Sequence, residues 1–120
     1  MSPRVCPCGG GAYADCCGPL HDGVAQAETA EQLMRSRYSA FALGLSDYLF
    51  RTWHPRTRPE SVDAGSVRWE GLEIVDVVDG QPWDAHGVVE FVARYRGGRL
   101  HERSTFERRA GRWFYVDAVG

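Results

Sequence analysis

The sequence predicts an α+β fold, helices first and an antiparallel sheet second, from a change of hydrophobic period near mid-chain. Apolar residues recur at helical spacing between Thr29 and Pro55, and from Val67 onward apolar and polar residues alternate as in half-buried strands. Two short glycine-containing breaks inside the alternating half supply the hairpin signals. At 120 residues, 43% hydrophobic and 12% aromatic, the chain has the length and apolar content of one ordinary domain.

Residues 1–22 are rich in Gly, Pro and Cys and hold too few apolar side chains to fold by burial alone, and 22–28 reads as a polar connector. The chain therefore divides into a motif over 1–22 and a domain over 23–120. Thr29-Ala30-Glu31-Gln32 forms a capping box that opens a helix. Leu33, Met34, Tyr38, Phe41, Ala42 and Leu45 make its apolar stripe, and Gly44 is placed to end it. Ser46 is placed to cap a second, short helix carrying Tyr48, Leu49, Phe50 and Trp53, which Pro55 closes. Residues 56–66 read as loop with room for one more helical turn.

Strands are predicted over 67–78, 87–96, 100–109 and 112–119. Gly97-Gly98 and Ala110-Gly111 are hairpin signals, so the last three strands form an antiparallel meander, preceded by a turn at Asp79-Gly80-Gln81-Pro82. Val89, Phe91, Ala93 and Tyr95 are expected to share one face, and Phe114 and Val116 another.

Charge excludes some functions. The formal net charge is -2, without the basic excess of nucleic-acid binders, so direct nucleic-acid binding is not expected. All 14 basic residues are Arg, a bias that a GC-rich genome produces and that would also serve bidentate anion contacts. No apolar run approaches the ~20 residues of a membrane span, and no signal-peptide pattern opens the chain. The expected location is the cytoplasm, where thiols stay reduced and clustered cysteines read first as metal ligands.

All four cysteines lie in the first 17 residues, as Cys6-Pro7-Cys8-Gly9-Gly10-Gly11 and Cys16-Cys17-Gly18. A pair two apart converges from a tight turn, the glycines let the backbone fold beneath an ion, and the adjacent pair returns to complete a tetrahedron. Zn2+ is the expected ion; iron also suits four thiolates. Four protein sulfurs close the shell, which makes the site structural. A vicinal disulfide at Cys16-Cys17, four unpaired thiols, or His21 replacing one cysteine are the alternatives.

The run 6–18 resembles the SEC-C motif, a short zinc-binding element. Leu33-Met34-Arg35-Ser36-Arg37-Tyr38-Ser39-Ala40-Phe41, Asp47-Tyr48-Leu49 and Thr52-Trp53-His54-Pro55 resemble the YchJ family of bacterial proteins. So do Trp69-Glu70-Gly71-Leu72, Leu100-His101-Glu102-Arg103-Ser104-Thr105-Phe106 and Gly111-Arg112-Trp113-Phe114-Tyr115. The resemblance implies a cystatin-like, nuclear-transport-factor-2-like cone, helices packed on a curved antiparallel sheet, behind the zinc motif. It implies no particular reaction. Gly10 stands where the motif usually has Ser, and Ala12, Tyr13, Ala14 and Asp15 stand where translocase examples carry lysines.

Such a cone encloses a cavity, and Arg35, Tyr38, Trp53, His54, Tyr95, His101 and Glu102 are the candidate ligand-binding residues. On a strand, only one of His101 and Glu102 can face inward. The structural alternative for these groups is a buried hydrogen-bonded network, with Arg35 paired to Glu90 or Glu102. The chain carries no phosphate-binding glycine loop, nucleophile elbow or helical His-Glu-x-x-His, so no catalytic residue is assigned. The expected function is that of a zinc-binding accessory protein. Its motif would dock on a protein or ribonucleoprotein partner, by analogy in protein export or ribosome-associated machinery. A small-molecule binder or enzyme using the cavity is the alternative. Motif and domain are expected to be separable in stability.

Overall fold

The computed structural model describes residues 4–119. A 3-10 turn at Tyr13–Asp15 and a single turn of helix, α1 (Gly18–His21), precede the long helix α2 (Ala30–Leu43) and the short α3 (Ser46–Arg51). Four strands follow: β1 (Trp69–Asp79), β2 (His86–Tyr95), β3 (Gly98–Arg109) and β4 (Arg112–Ala118). They pair antiparallel in the order β1-β2-β3-β4, so the meander extends to all four.

The ends of α2 follow the expected chemistry. Gln32 N–H donates to Thr29 Oγ1 at 3.0 Å, and Gln32 Oε1 accepts from Glu28 N–H at 2.7 Å. Each bond satisfies a donor that the first helical turn cannot. At the other end Gly44 takes φ 75°, and both Gly44 and Leu45 donate to the carbonyl of Ala40. Helix α3 departs from expectation. Ser46 is its first residue instead of its cap, and its Oγ accepts from Ala64 N–H at 3.0 Å. That bond fastens the 56–66 segment, where a turn at 55–57 replaces the anticipated helical turn.

Trp53 and His54 lie beyond α3 and form a parallel bridge to β4. His54 N–H donates to Tyr115 O at 2.7 Å, and Tyr115 N–H donates to Thr52 O at 2.9 Å. The β2–β3 turn is Arg96-Gly97, one residue earlier than predicted, because Gly97 supplies the positive φ of 104°. Ala110 and Gly111 form the β3–β4 turn, both at positive φ.

Bulges curve the sheet. The register slips at Glu70 and Val75 in β1 and at Val116 in β4, each slip adding a residue that bends its strand. The β4 bulge also changes which residues turn inward. Trp113 is buried and Tyr115 packs edge-on against Phe106, while Phe114 packs against His54; the expected shared face of Phe114 and Val116 is broken.

Leu33, Met34 and Tyr38 of α2 pack on Val89, Phe91, Ala93, Phe106 and Trp113 across the concave sheet, and Cys6, Cys8 and Cys17 join the same core. A smaller cluster of Leu20, Ala40, Tyr48, Leu49 and Ala64 holds α1, α3 and the loop together. The start of α2 approaches the β1–β2 turn so closely that a Cβ at Gly87 would lie 2.6 Å from Gly80 Cα and 3.0 Å from Ala30 Cβ. Gly87→Val should therefore destabilise the protein by about 1–3 kcal/mol, the usual range for overpacking a close contact. A thermal or denaturant melt against wild type measures it.

Candidate functional site

The four sulfurs converge. Cys8 Sγ lies 3.5 Å from Cys16 Sγ and 3.8 Å from Cys17 Sγ, Cys16 and Cys17 are 3.9 Å apart, and all four lie within 4.8 Å of one another. A tetrahedral ion with metal–sulfur bonds of ~2.3 Å requires sulfur–sulfur spacings of ~3.8 Å, so the set fits a metal ion. No pair is bonded, which removes the vicinal disulfide. His21 is also excluded as a ligand, because its Nδ1 faces Tyr13 Oη at 2.6 Å and its Nε2 faces the Ser36 carbonyl at 2.8 Å. The carbonyl fixes Nε2 as the donor, and burial holds the ring's pKa below the ordinary value, favouring the neutral form.

Electrostatics inside the cluster favour a cation. The Cys8 thiol is held far below the usual range, first by its hydrogen bond with Cys17. Cys17 is pushed up by that same bond and then by burial, and Cys16 by burial and then by Cys8. One thiolate is stabilised by neighbours that remain thiols; a second negative charge in the same space needs a positive one between them.

The cluster is seated on α2. Ser39 Oγ sits 3.4 Å from Cys6 Sγ and donates to Cys17 Sγ at 3.3 Å, and Arg35 Nη1 donates to the Cys8 carbonyl at 3.1 Å. His21 packs edge-on against Tyr48, and Arg51 Nη2 donates to the His21 carbonyl. The cysteine motif thus shares contacts with α2 and α3 throughout.

On the opposite side of α2, the curved sheet encloses a cavity of about 280 Å³. Tyr38, Phe41, Trp53, Trp69, Phe91 and Tyr115 supply its aromatic walls; Arg37, Glu102 and Ser104 are its polar groups. Arg37 is buried. Its Nη1 donates to Leu49 O at 2.8 Å and Thr52 Oγ1 at 2.7 Å, and its carbon centre lies 4.6 Å and 5.4 Å from the Tyr115 and Trp53 ring centroids. Burial lowers its pKa to about 10, so it remains charged at neutral pH. Burial raises Glu102, and burial followed by the nearby Glu102 pushes Tyr115 up to about 12. Trp53 and Trp69 bury indole N–H groups that have no acceptor among the described residues.

Of the sequence candidates, Tyr38, Trp53 and Glu102 line this cavity. Arg35 belongs to the other side of α2, where it pairs with Glu31 at 3.0 Å rather than with Glu90 or Glu102. His54 sits against Glu107 and Phe114, and Tyr95 packs edge-on against Trp69; neither is among the lining groups. His101 is exposed and lies 2.6 Å from Glu90. Leu100, Glu102 and Ser104 are the inward residues of β3, so His101 necessarily points away. Arg37 and Ser39 were missed as site residues. A signal existed for Arg37: it follows Met34 by three and precedes Phe41 by four, placing a cation on the helix's apolar face.

A bent antiparallel sheet wrapped on one long helix, fastened to a four-cysteine centre, defines the class: a nuclear-transport-factor-2-like α+β domain with a metal-binding motif. Residues 29–118 match the family described as YchJ, middle NTF2-like domain, and the chain belongs to that family. A UPF0225 protein of Streptomyces coelicolor is 57% identical over 119 residues, covering 98% of this chain and 96% of the relative. One from Chromobacterium violaceum is 55% identical over 124 residues, covering 96% and 92%. The solution structure of a SEC-C motif-containing protein from Rhodopseudomonas palustris is similar with TM-score 0.84 at 35% identity, covering 98% of both chains. The crystal structure of a SEC-C motif-containing protein from Psychrobacter arcticus gives 0.79 at 33% identity, covering 95% of this chain and 81% of that one.

Metal uptake by the reduced, metal-free chain should reach one ion per chain and release the protons of Cys16 and Cys17, because their raised pKa values keep them protonated at pH 7. Protons and metal compete for these sulfurs, so affinity should fall as pH falls. Titration in weakly buffered solution with a pH indicator, alongside elemental analysis, checks both outcomes.

Proposed function

We propose that this protein is a zinc-braced binding protein of the cytoplasm. In this reading Cys6, Cys8, Cys16 and Cys17 hold one Zn2+ as a structural centre, and the cavity on the other side of α2 receives a small molecule. The observation that carries the reading is Arg37, a buried guanidinium on the wall of a cavity, with no ion-pair partner among the described residues. Burying a charge without a counter-charge is costly, and a purely structural core position would be better filled by an apolar side chain. Three of the four cysteines are buried under 3% exposure, which suits a brace within the core. When bound, zinc supplies structural cross-linking here, with all four sulfurs coming from the chain. Reduced cytoplasmic thiols keep those ligands available.

Partner docking through the cysteine motif has one observation in its favour. Val5, beside the cluster, is 71% exposed, and the glycine turn at 9–11 is exposed as well. That rim would offer a rigid contact to a protein or ribonucleoprotein of the export or ribosome-associated machinery. No helix among the described residues is long and apolar enough to cross a membrane.

Nitrogen-labelled protein titrated with a mixed set of single-ring molecules tests the cavity. Shifts should concentrate on the indole signals of Trp53 and Trp69 and on amides of β2 and β3. A cavity-filling Ala93→Leu variant should lose them while staying folded. Shifts confined to the 4–12 region, or none at all, would count against the cavity.

A further inference from the structure

Resting on the cavity reading above, we propose that the ligand is a small planar monocarboxylate, held with its carboxylate on the free edge of Arg37 and its ring among the aromatic walls. The guanidinium presents only one usable approach. Both protein acceptors, Leu49 O and Thr52 Oγ1, are taken by Nη1. Tyr115 and Trp53 lie 4.6 Å and 5.4 Å from its carbon centre as cation–π partners. What remains is the in-plane edge formed by Nε and Nη2, which donate to no acceptor among the described residues. Two parallel N–H groups in one plane match the two oxygens of a carboxylate, the bidentate geometry in which arginine differs from lysine.

Size and wall chemistry narrow the class. A cavity of about 280 Å³ lies at the small end of ligand pockets, roughly 300–1,000 Å³, so the occupant carries one ring or two. Tyr38, Phe41, Trp69 and Phe91 are apolar surfaces against which a flat ring packs. Charge sets the upper limit. Arg37 is the cationic residue of the lining and Glu102 its acidic one, and the two face the same space without an ion pair. A dicarboxylate would set its second charge against Glu102, so a single negative charge is the best match.

Calorimetry with the zinc-loaded full chain tests this, using benzoate, its neutral isostere benzamide and the dianion isophthalate as probes. Benzoate should bind, and benzamide should bind about tenfold to a hundredfold more weakly, the loss expected for one charge-assisted hydrogen-bonded pair. Isophthalate should bind more weakly than benzoate. In Arg37→Gln the preference for benzoate over benzamide should vanish; if that variant does not fold, the wild-type comparison still decides. Glu102→Gln, which removes the competing negative charge, should strengthen benzoate binding. Benzamide binding as tightly as benzoate, with shifts at the Trp53 and Trp69 indoles, would overturn the carboxylate assignment and leave the cavity reading intact. Weaker benzoate binding in Glu102→Gln would overturn the monoanion assignment. Failure of all three probes to shift the indole signals would overturn the proposal together with the cavity reading.

Discussion

Helix α2 is held from two sides, and the rest of the structure depends on that. One side carries Ser39 and Arg35 to the cysteine cluster; the other carries Met34, Arg37, Tyr38 and Phe41 to the cavity and sheet. A helix of 14 residues buried this extensively has little solvent face left for its polar groups. Ser36, Arg37 and Ser39 are consequently buried, each with hydrogen-bond partners: Ser36 with Leu33 O and Tyr48 Oη, Arg37 with Leu49 O and Thr52, and Ser39 with two sulfurs. Unpaired, such groups would each cost about 1–3 kcal/mol, more for the charge. The small residues at 36 and 39 also let the cysteine motif approach the helix closely.

This arrangement connects the metal centre to the cavity through one rigid element. The sulfurs fix the Ser39 side of α2, and the Arg37 guanidinium leaves another side already oriented by Leu49 and Thr52. The bulges at Glu70, Val75 and Val116 bend the sheet away from the helix axis. A flat sheet would press against α2 along its length and leave no cavity. The bridge from Thr52-Trp53-His54 to Tyr115 extends the curved sheet beyond β4 and sets the Trp53 ring beside Arg37.

What the sequence made legible was whatever local chemistry dictates. Four soft ligands in 17 residues, a Thr-x-x-Gln cap and a glycine at the helix end are each recognised by a few neighbouring atoms, and the structure places them as expected. The four strands were readable from period-two alternation, although the β2–β3 turn sits one residue earlier, where Gly97 takes the positive φ. Long-range choices were not readable. Ser46 looks like a cap, yet its hydroxyl serves Ala64, 18 residues away. His54 looks like a cavity residue because it follows Trp53, but the bridge to β4 turns it toward Glu107. Arg35 and Arg37 differ in sequence by only two positions. Helical geometry sends one to the cysteine side and the other into the cavity; the Met34 and Phe41 spacing marked Arg37 as inward, but where the cysteine motif docks was set by packing.

The central claim is that the cysteine centre and the α+β domain share one core through α2. Hydrogen exchange of the metal-loaded chain before and after chelation tests it most directly. The account predicts that chelation removes protection from the α2 amides of Leu33, Ser36, Arg37 and Ser39 as well as from residues 5–22. Loss confined to residues 5–22, with α2 as protected as before, would contradict it.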